Sequence, residues 1–199
     1  MKNPTDTLNR EQWLTSAATM IFSDLIAPHL HQPPAHPFRV SVGFPSGKVS
    51  KVVAQCWKAE ASADSTNEIF VSPTVSDSIE VLASLTHELI HFADNCASGH
   101  RNHFARVARK VGLEGHLTAT TAGETLSAQL NYYVELLGQI PHAILDPTLS
   151  GAKKQPTRMI KLECCACSFT CRATRSQIET LSTSKLCPAC LGVGVFFEV

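Results

Sequence analysis

Apolar residues at helical spacing open the chain. Between residues 9 and 27, Trp13, Ala17, Met20, Ile21 and Ile26 fall near one face, which predicts an amphipathic helix. The segment HLHQPPAHP (29–37) ends it, because its prolines lack the N–H that a helix needs. The period then changes. Phe38, Val40 and Val42 alternate with Arg39 and Ser41, as in a half-buried strand. A turn at Pro45–Lys48, a second strand around Val52–Trp57 and a third at Glu68–Val71 complete a small sheet. Helical spacing returns with Val81, Leu85, Leu89 and Phe92, and Asp77 followed by Glu80 reads as a capping box that starts this helix near residue 77. A further helix is predicted over 101–111, with Phe104, Val107 and Val111 inward and Gly112 as its stop. Residues 112–123 read as a loop, and ETLSAQLNYYVELL (124–137) as another helix. Residues 147–158 are polar and rich in breakers, which marks a linker. No internal repeat is present.

The helix that starts at residue 77 carries His87-Glu88-Leu89-Ile90-His91, a match to H-E-x-x-H. Side chains four apart share a helix face, so His87 and His91 can offer imidazole nitrogens to one ion. Glu88 lies about 100° around the helix, free to act as general base toward water activated by a zinc ion. With nine His and this chain's Glu frequency, such a match arises by chance about 2% of the time. The competing reading is a pair of core histidines beside an acid, and the capped amphipathic helix argues against it. A catalytic site needs a third protein ligand and an open position. A metzincin would have Gly at position 94 and His at 97; Asp94 and Ala97 exclude that class. The remaining candidates are His100, His103 and His116, with Glu114 or Glu124 as carboxylate options. His29, His31 and His36 lie in the proline-rich segment, which would hold a metal poorly, and read as loop residues.

Composition adds a second centre. The 199 residues, 44% of them apolar, suffice for one proper core plus a small module. Eight cysteines occur, and the polar N-terminal stretch has no hydrophobic signal core. No run of about 18 apolar residues exists, so no membrane span is expected. A cytoplasmic protein is the expectation, and its cysteines are then metal ligands more readily than disulfides. Cys164-x-x-Cys167 and Cys187-x-x-Cys190, 19 residues apart, fit the four-cysteine zinc template, a closed and therefore structural site. Cys165 and Cys171 compete poorly by spacing; Cys56 and Cys96 read as core or loop thiols. The formal net charge is zero, split as −4 over residues 1–151 and +4 over 152–199. Lys153, Lys154, Arg158, Lys161, Arg172, Arg175 and Lys185 make the tail basic, which suits an anionic partner such as DNA as well as an ordinary solvated face.

Taken together, these residues resemble the SprT-like zincin metallopeptidases, distant relatives of DNA-dependent proteases. In that family a helix-borne H-E-x-x-H is followed by a G-H-x-x-x-F segment whose histidine is the third ligand. Gly99-His100-Arg101-Asn102-His103-Phe104 is similar to it, so the resemblance selects His100, with Phe104 anchoring the next helix. Arg101-Asn102 departs from the Gly-Pro or Gly-Lys common after that histidine, which keeps His103 as a rival. The stretches Ile69–Pro73, Cys56-Trp57 and 112–126 are also similar, as is a C-terminal zinc ribbon with an aromatic (Phe169) and an arginine (Arg172) after its first knuckle. The resemblance covers roughly residues 10–198. It implies an α+β architecture: a zincin-like metallopeptidase domain over 1–146 (a small sheet plus helices, with an active-site helix), a linker over 147–158 and a four-cysteine zinc ribbon over 159–199. It implies two zinc ions per chain, a catalytic one on His87, His91 and His100 with Glu88 as base, and a structural one on Cys164, Cys167, Cys187 and Cys190. The implied substrate is a protein or peptide, including proteins bound to DNA. A catalytically silent body carrying a nucleic-acid-binding ribbon is the alternative.

Overall fold

The computed structural model describes residues 8–46, 52–149, 159–180, 186–191 and 194–198. It is an α+β protein whose chain forms two compact units, Met1–Thr148 and Leu149–Val199. The expected turn at Pro45–Lys48 runs outside the described residues beyond Ser46, as does the linker from residue 150 onward.

Helix α1 (Arg10–Ile21) starts at Asn9, whose side chain and Gln12 form a reciprocal capping box. Trp13, Leu14, Ala17, Ala18 and Ile21 are buried. The predicted single helix to residue 27 is cut short: Phe22–Ile26 widens into a π-helical turn, and a 3₁₀ turn (Ala27–His29) runs into the prolines. Strands β1 (Phe38–Val42), β2 (Ala54–Trp57) and β3 (Asn67–Val71) form a sheet of order β1-β3-β2, with β1 parallel and β2 antiparallel to β3. β2 is therefore an edge. Helix α2 (Ser78–Ala93) begins at Asp77, whose carboxylate accepts the Glu80 N–H at 2.8 Å; this is the Asp77 half of the expected capping box. Its predicted stripe of Val81, Leu85, Leu89 and Phe92 is buried, together with Leu82 and Ile90.

Helix α3 (Asn102–Val111) stops at Gly112, which takes the left-handed conformation (φ +87°) that a β-carbon disfavours. The stretch expected to be a loop is instead a hairpin, β4 (Leu113–His116) and β5 (Ala119–Ala122), closed by the Gly123 N–H donating to the Gly112 carbonyl at 2.9 Å. Helix α4 (Glu124–Leu137) packs on α2. Its exit is tied back by Ser78 Oγ, which donates to Gln139 Oε1 and accepts from Ile140 N, and by Trp13 Nε1, which donates to the Gly138 carbonyl at 2.9 Å. The apolar core takes in Val81, Leu82, Leu85, Leu89, Ile90 and Phe92 of α2.

In the second unit, β6 (Ile160–Cys164) lies between β7 (Thr170–Ala173) and β8 (Phe196–Glu198), and a short helix α5 (Arg175–Thr180) follows β7. Among the described residues of this unit only Leu162 and Ile178 are buried apolar side chains, apart from cysteines. No helix among the described residues is long and apolar enough to cross a membrane.

Candidate metal centres

Two groups of metal-ligating side chains converge among the described residues: His87, His91 and His100, and Cys164, Cys167, Cys187 and Cys190. Within each, the ligand atoms all lie within 4.8 Å of one another.

The first group draws two histidines from successive turns of α2. The third arrives on the connection from α2 to α3. That connection turns sharply through Asn95 (φ +53°), Cys96 (φ +58°) and Gly99 (φ +52°). Left-handed backbone is costly for Cys96, and the surroundings hold it there. The Cys96 N–H donates to the His91 carbonyl at 2.7 Å. Asn95 Oδ1 accepts from the Ala59 N–H and from Asn67 Nδ2, both at 2.9 Å, while Asn95 Nδ2 donates to the Glu60 carboxylate. His100 Nε2 then stands 3.1 Å from His87 Nε2 and 3.2 Å from His91 Nε2. Three imidazoles around a tetrahedral ion with metal–nitrogen bonds near 2.0–2.1 Å would be separated by about 3.3 Å, so the donor set fits a small divalent ion.

Two features that the sequence did not reveal support the ligands. His87 Nδ1 lies 2.8 Å from the Thr120 hydroxyl on β5, which fixes the ring and leaves Nε2 to face the other histidines. Phe104, fully buried at the start of α3, lies under all three rings. It stacks on His91 with centroids 4.4 Å apart and meets His87 at 4.7 Å and His100 at 5.1 Å. Phe104 was expected only as a helix anchor; it is the floor of the centre. Desolvation lowers the His87 imidazole to about 3 and His91 to about 4, and also lowers His100. Burial thus favours the neutral form of all three, the form that a ligand must take.

Glu88 is buried beside this group. Its Oε2 accepts the Cys56 N–H from β2 at 2.7 Å, and burial pushes its carboxyl up to about 7. Its other oxygen makes no protein hydrogen bond among the described residues. His87 and Glu88 open onto a cleft of about 690 Å³ between β2 and β5, floored by α2.

The other candidates stand apart. His103 is not part of the group, and its Nδ1 lies 3.2 Å from Arg106 Nη2. His116 is exposed on the hairpin, its Nδ1 2.8 Å from the Thr118 hydroxyl. Glu114 and Glu124 are exposed and outside the group. His29, His31 and His36 do not converge with other ligands. Cys56 lies on β2 and Cys96 in the α2–α3 connection, its thiol donating to the Cys56 carbonyl at 3.7 Å.

In the second unit, Cys164 Sγ is 3.7 Å from Cys190 Sγ, and Cys167 Sγ is 3.6 Å from Cys187 Sγ. Disulfide sulfurs would be about 2.05 Å apart. Four thiolates around an ion with metal–sulfur bonds near 2.3 Å would sit about 3.8 Å apart, which these spacings approach. The Gly194 N–H donates to Cys190 Sγ and the Ala166 N–H to Cys164 Sγ, as backbone amides do around a thiolate centre. Cys165 and Cys171 stay outside. Of the predicted cations, Lys161 pairs with Glu163 and Arg175 with Glu198, while Arg172 is exposed without an ion pair among the described residues. Lys153, Lys154, Arg158 and Lys185 lie outside the described residues.

The chain matches no family model, no curated protein and no solved structure.

Proposed function

We propose that the first unit is a zincin-like, zinc-dependent peptidase, and that the second is a zinc ribbon. The observation that carries this reading is a buried carboxyl, Glu88, beside three convergent neutral imidazoles at the mouth of an open cleft. Zinc bound to His87, His91 and His100 would supply Lewis acidity toward water and toward the scissile carbonyl. Glu88 takes a proton from the attacking water through its free oxygen and later returns it to the leaving amine. The Cys56 N–H holds the carboxyl in place for both transfers. Thr120 and Phe104 keep the imidazoles aimed.

A polypeptide substrate suits the cleft wall. In β2, Val53 bonds inward, its carbonyl accepting the Ser72 N–H, whereas the Cys56 N–H points outward to Glu88. By alternation the Ala54 N–H and C=O also point outward, toward the cleft that Ala54 lines. An extended peptide can add to that edge. The resemblance to SprT-like enzymes, carried by the two histidine motifs, favours the same activity in the cytoplasm, with DNA-associated proteins as substrates.

Glu88→Gln tests the assignment. Zinc content should remain at two ions per chain, while cleavage of casein or of a DNA-bound protein falls by about 10²–10⁴-fold. Equal cleavage by the variant would refute it. A second reading has one observation in its favour: Phe169, Phe197 and Arg172 are exposed on the ribbon, as in stacking surfaces for single strands. In that reading the ribbon binds nucleic acid and the first unit is silent. Salt-sensitive DNA binding by a full-length protein that cleaves nothing would support it.

A further inference from the structure

The cleft narrows the substrate class. Its walls beside the catalytic pair are made of small side chains. Ala83 and Ser84 lie one helical turn before His87 and Glu88, about 6 Å along the axis of α2. Ala54 faces them from β2, Ala122 from β5 and Ser127 from α4. None of these five is fully buried. The Ser127 hydroxyl is turned to the Ala122 carbonyl at 3.3 Å, so its polar end is already occupied. What remains is a depression walled by small side chains next to where a scissile bond would lie, with no Phe, Tyr or Trp in the lining, threonines along β5, and the carboxylates of Glu80 and Asp77 two or more turns further along α2.

An extended chain advances about 3.3 Å per residue, so a point 6 Å from the catalytic pair is reached by the side chain flanking the scissile bond. From these walls we infer that the cleft selects polypeptides with a bulky apolar residue, such as leucine or phenylalanine, flanking the cleaved bond. Ala83 and Ser84 are then the specificity-determining positions, because a larger side chain at either fills the depression. Such residues are buried in folded proteins, so the inference makes unfolded or locally opened segments the substrates. It rests on the peptidase reading above for the chemistry, but not for the binding preference.

The test uses the full-length protein with zinc bound and a peptide series that differs only at the two residues flanking one cleavable bond: Gly, Ala, Leu, Phe, Asp and Lys. The expected result is a kcat/KM at least ~10-fold higher for Leu or Phe than for Gly at one of the two positions, the scale of discrimination an apolar pocket gives. Ala83→Phe should reverse that ranking with both zinc ions retained. The same series, labelled and titrated into Glu88→Gln by fluorescence anisotropy, reads binding without cleavage. Tighter binding of Leu and Phe peptides, lost in Ala83→Phe/Glu88→Gln, supports the pocket even if the unaltered protein cleaves nothing, an outcome that would sink the peptidase reading alone. Equal binding and equal cleavage across the series, or a ranking unmoved by Ala83→Phe, would overturn the inference.

Discussion

At Glu88 and the histidines, opposite responses to the same burial create a pH signature. Glu88 is neutral when protonated, so burial raises it from 4.5 to about 7 in the folded metal-free protein. Its contribution to stability is fully present below pH 4.5 and is lost as the pH rises through about 7. His87 and His91 are neutral when deprotonated, and burial lowers them to about 3 and about 4. Their contribution is present above pH 6.5 and is lost as the pH falls through those values. Because the histidines are common to both proteins, metal-depleted Glu88→Gln should gain stability over the unaltered protein at pH 8 and not at pH 4. Urea midpoints followed by the fluorescence of buried Trp13 measure that difference. Thr120 acts on the same centre from outside it. Thr120→Val removes the hydroxyl that orients His87 and should weaken zinc binding at the histidines by about 10–100-fold. Competition with a chromogenic chelator reads this, and an unchanged affinity would count against an orienting role.

Among the elements, α2 was the most legible in the sequence, and the hairpin the least. Asp77, the apolar stripe and the histidine spacing all state the same helical period, so tertiary packing had nothing to override. The strands β1 to β3 were legible through β-branched and aromatic residues, though their order was not, since nothing local to a strand says which neighbour it pairs with. The hairpin carries no such pattern. Its strands read Leu-Glu-Gly-His and Ala-Thr-Thr-Ala, mostly exposed and without a period-two apolar pattern, and its Leu117-Thr118 connection lacks an Asn-Gly type signal. Its existence depends on Gly112, Gly115 and Gly123 and on packing against α2. The histidine motifs could therefore be read directly, while Thr120 could not. One consequence is measurable. Gly112→Ala puts a β-carbon in left-handed backbone, 3.2 Å from the Leu126 β-carbon, and should destabilise the first unit by about 1–2 kcal/mol. A thermal melt monitored at Trp13 should show the fall, with zinc content at the ribbon unaltered.

For the molecule as a whole, the two units rest on different sources of stability. The first has an extensive apolar core, from Trp13 to Ile140. The second unit has two buried apolar side chains among its described residues, apart from cysteines, and four converging thiols, so a bound metal would be its principal staple. Cys187→Ser should release one zinc ion and make residues from 159 onward sensitive to a protease, leaving the first unit resistant. His87→Ala should release the other ion and leave the first unit folded. Atomic absorption paired with limited proteolysis separates these outcomes, and a single ion in the unaltered protein would contradict two independent centres.

If the first unit is a peptidase, the hydrogen bond from the Cys56 N–H to Glu88 makes one strand serve as both a track and a frame of reference. The outward groups of β2 lie on Ala54 and Cys56, about 6.8 Å apart, and those of Cys56 are already engaged by Glu88 and Cys96. A chain threaded along that edge keeps its pairing only if it moves by two residues at a time, because a shift of one turns its bonding groups and side chains to the opposite faces. Glu88 is pinned to the same edge, so its distance to a carbonyl paired there would be set by the pleat. Cuts made without release of the chain would then be spaced by even numbers of residues, whereas release and rebinding would space them by the apolar side chains alone, and mass spectrometry of the products tells the two apart.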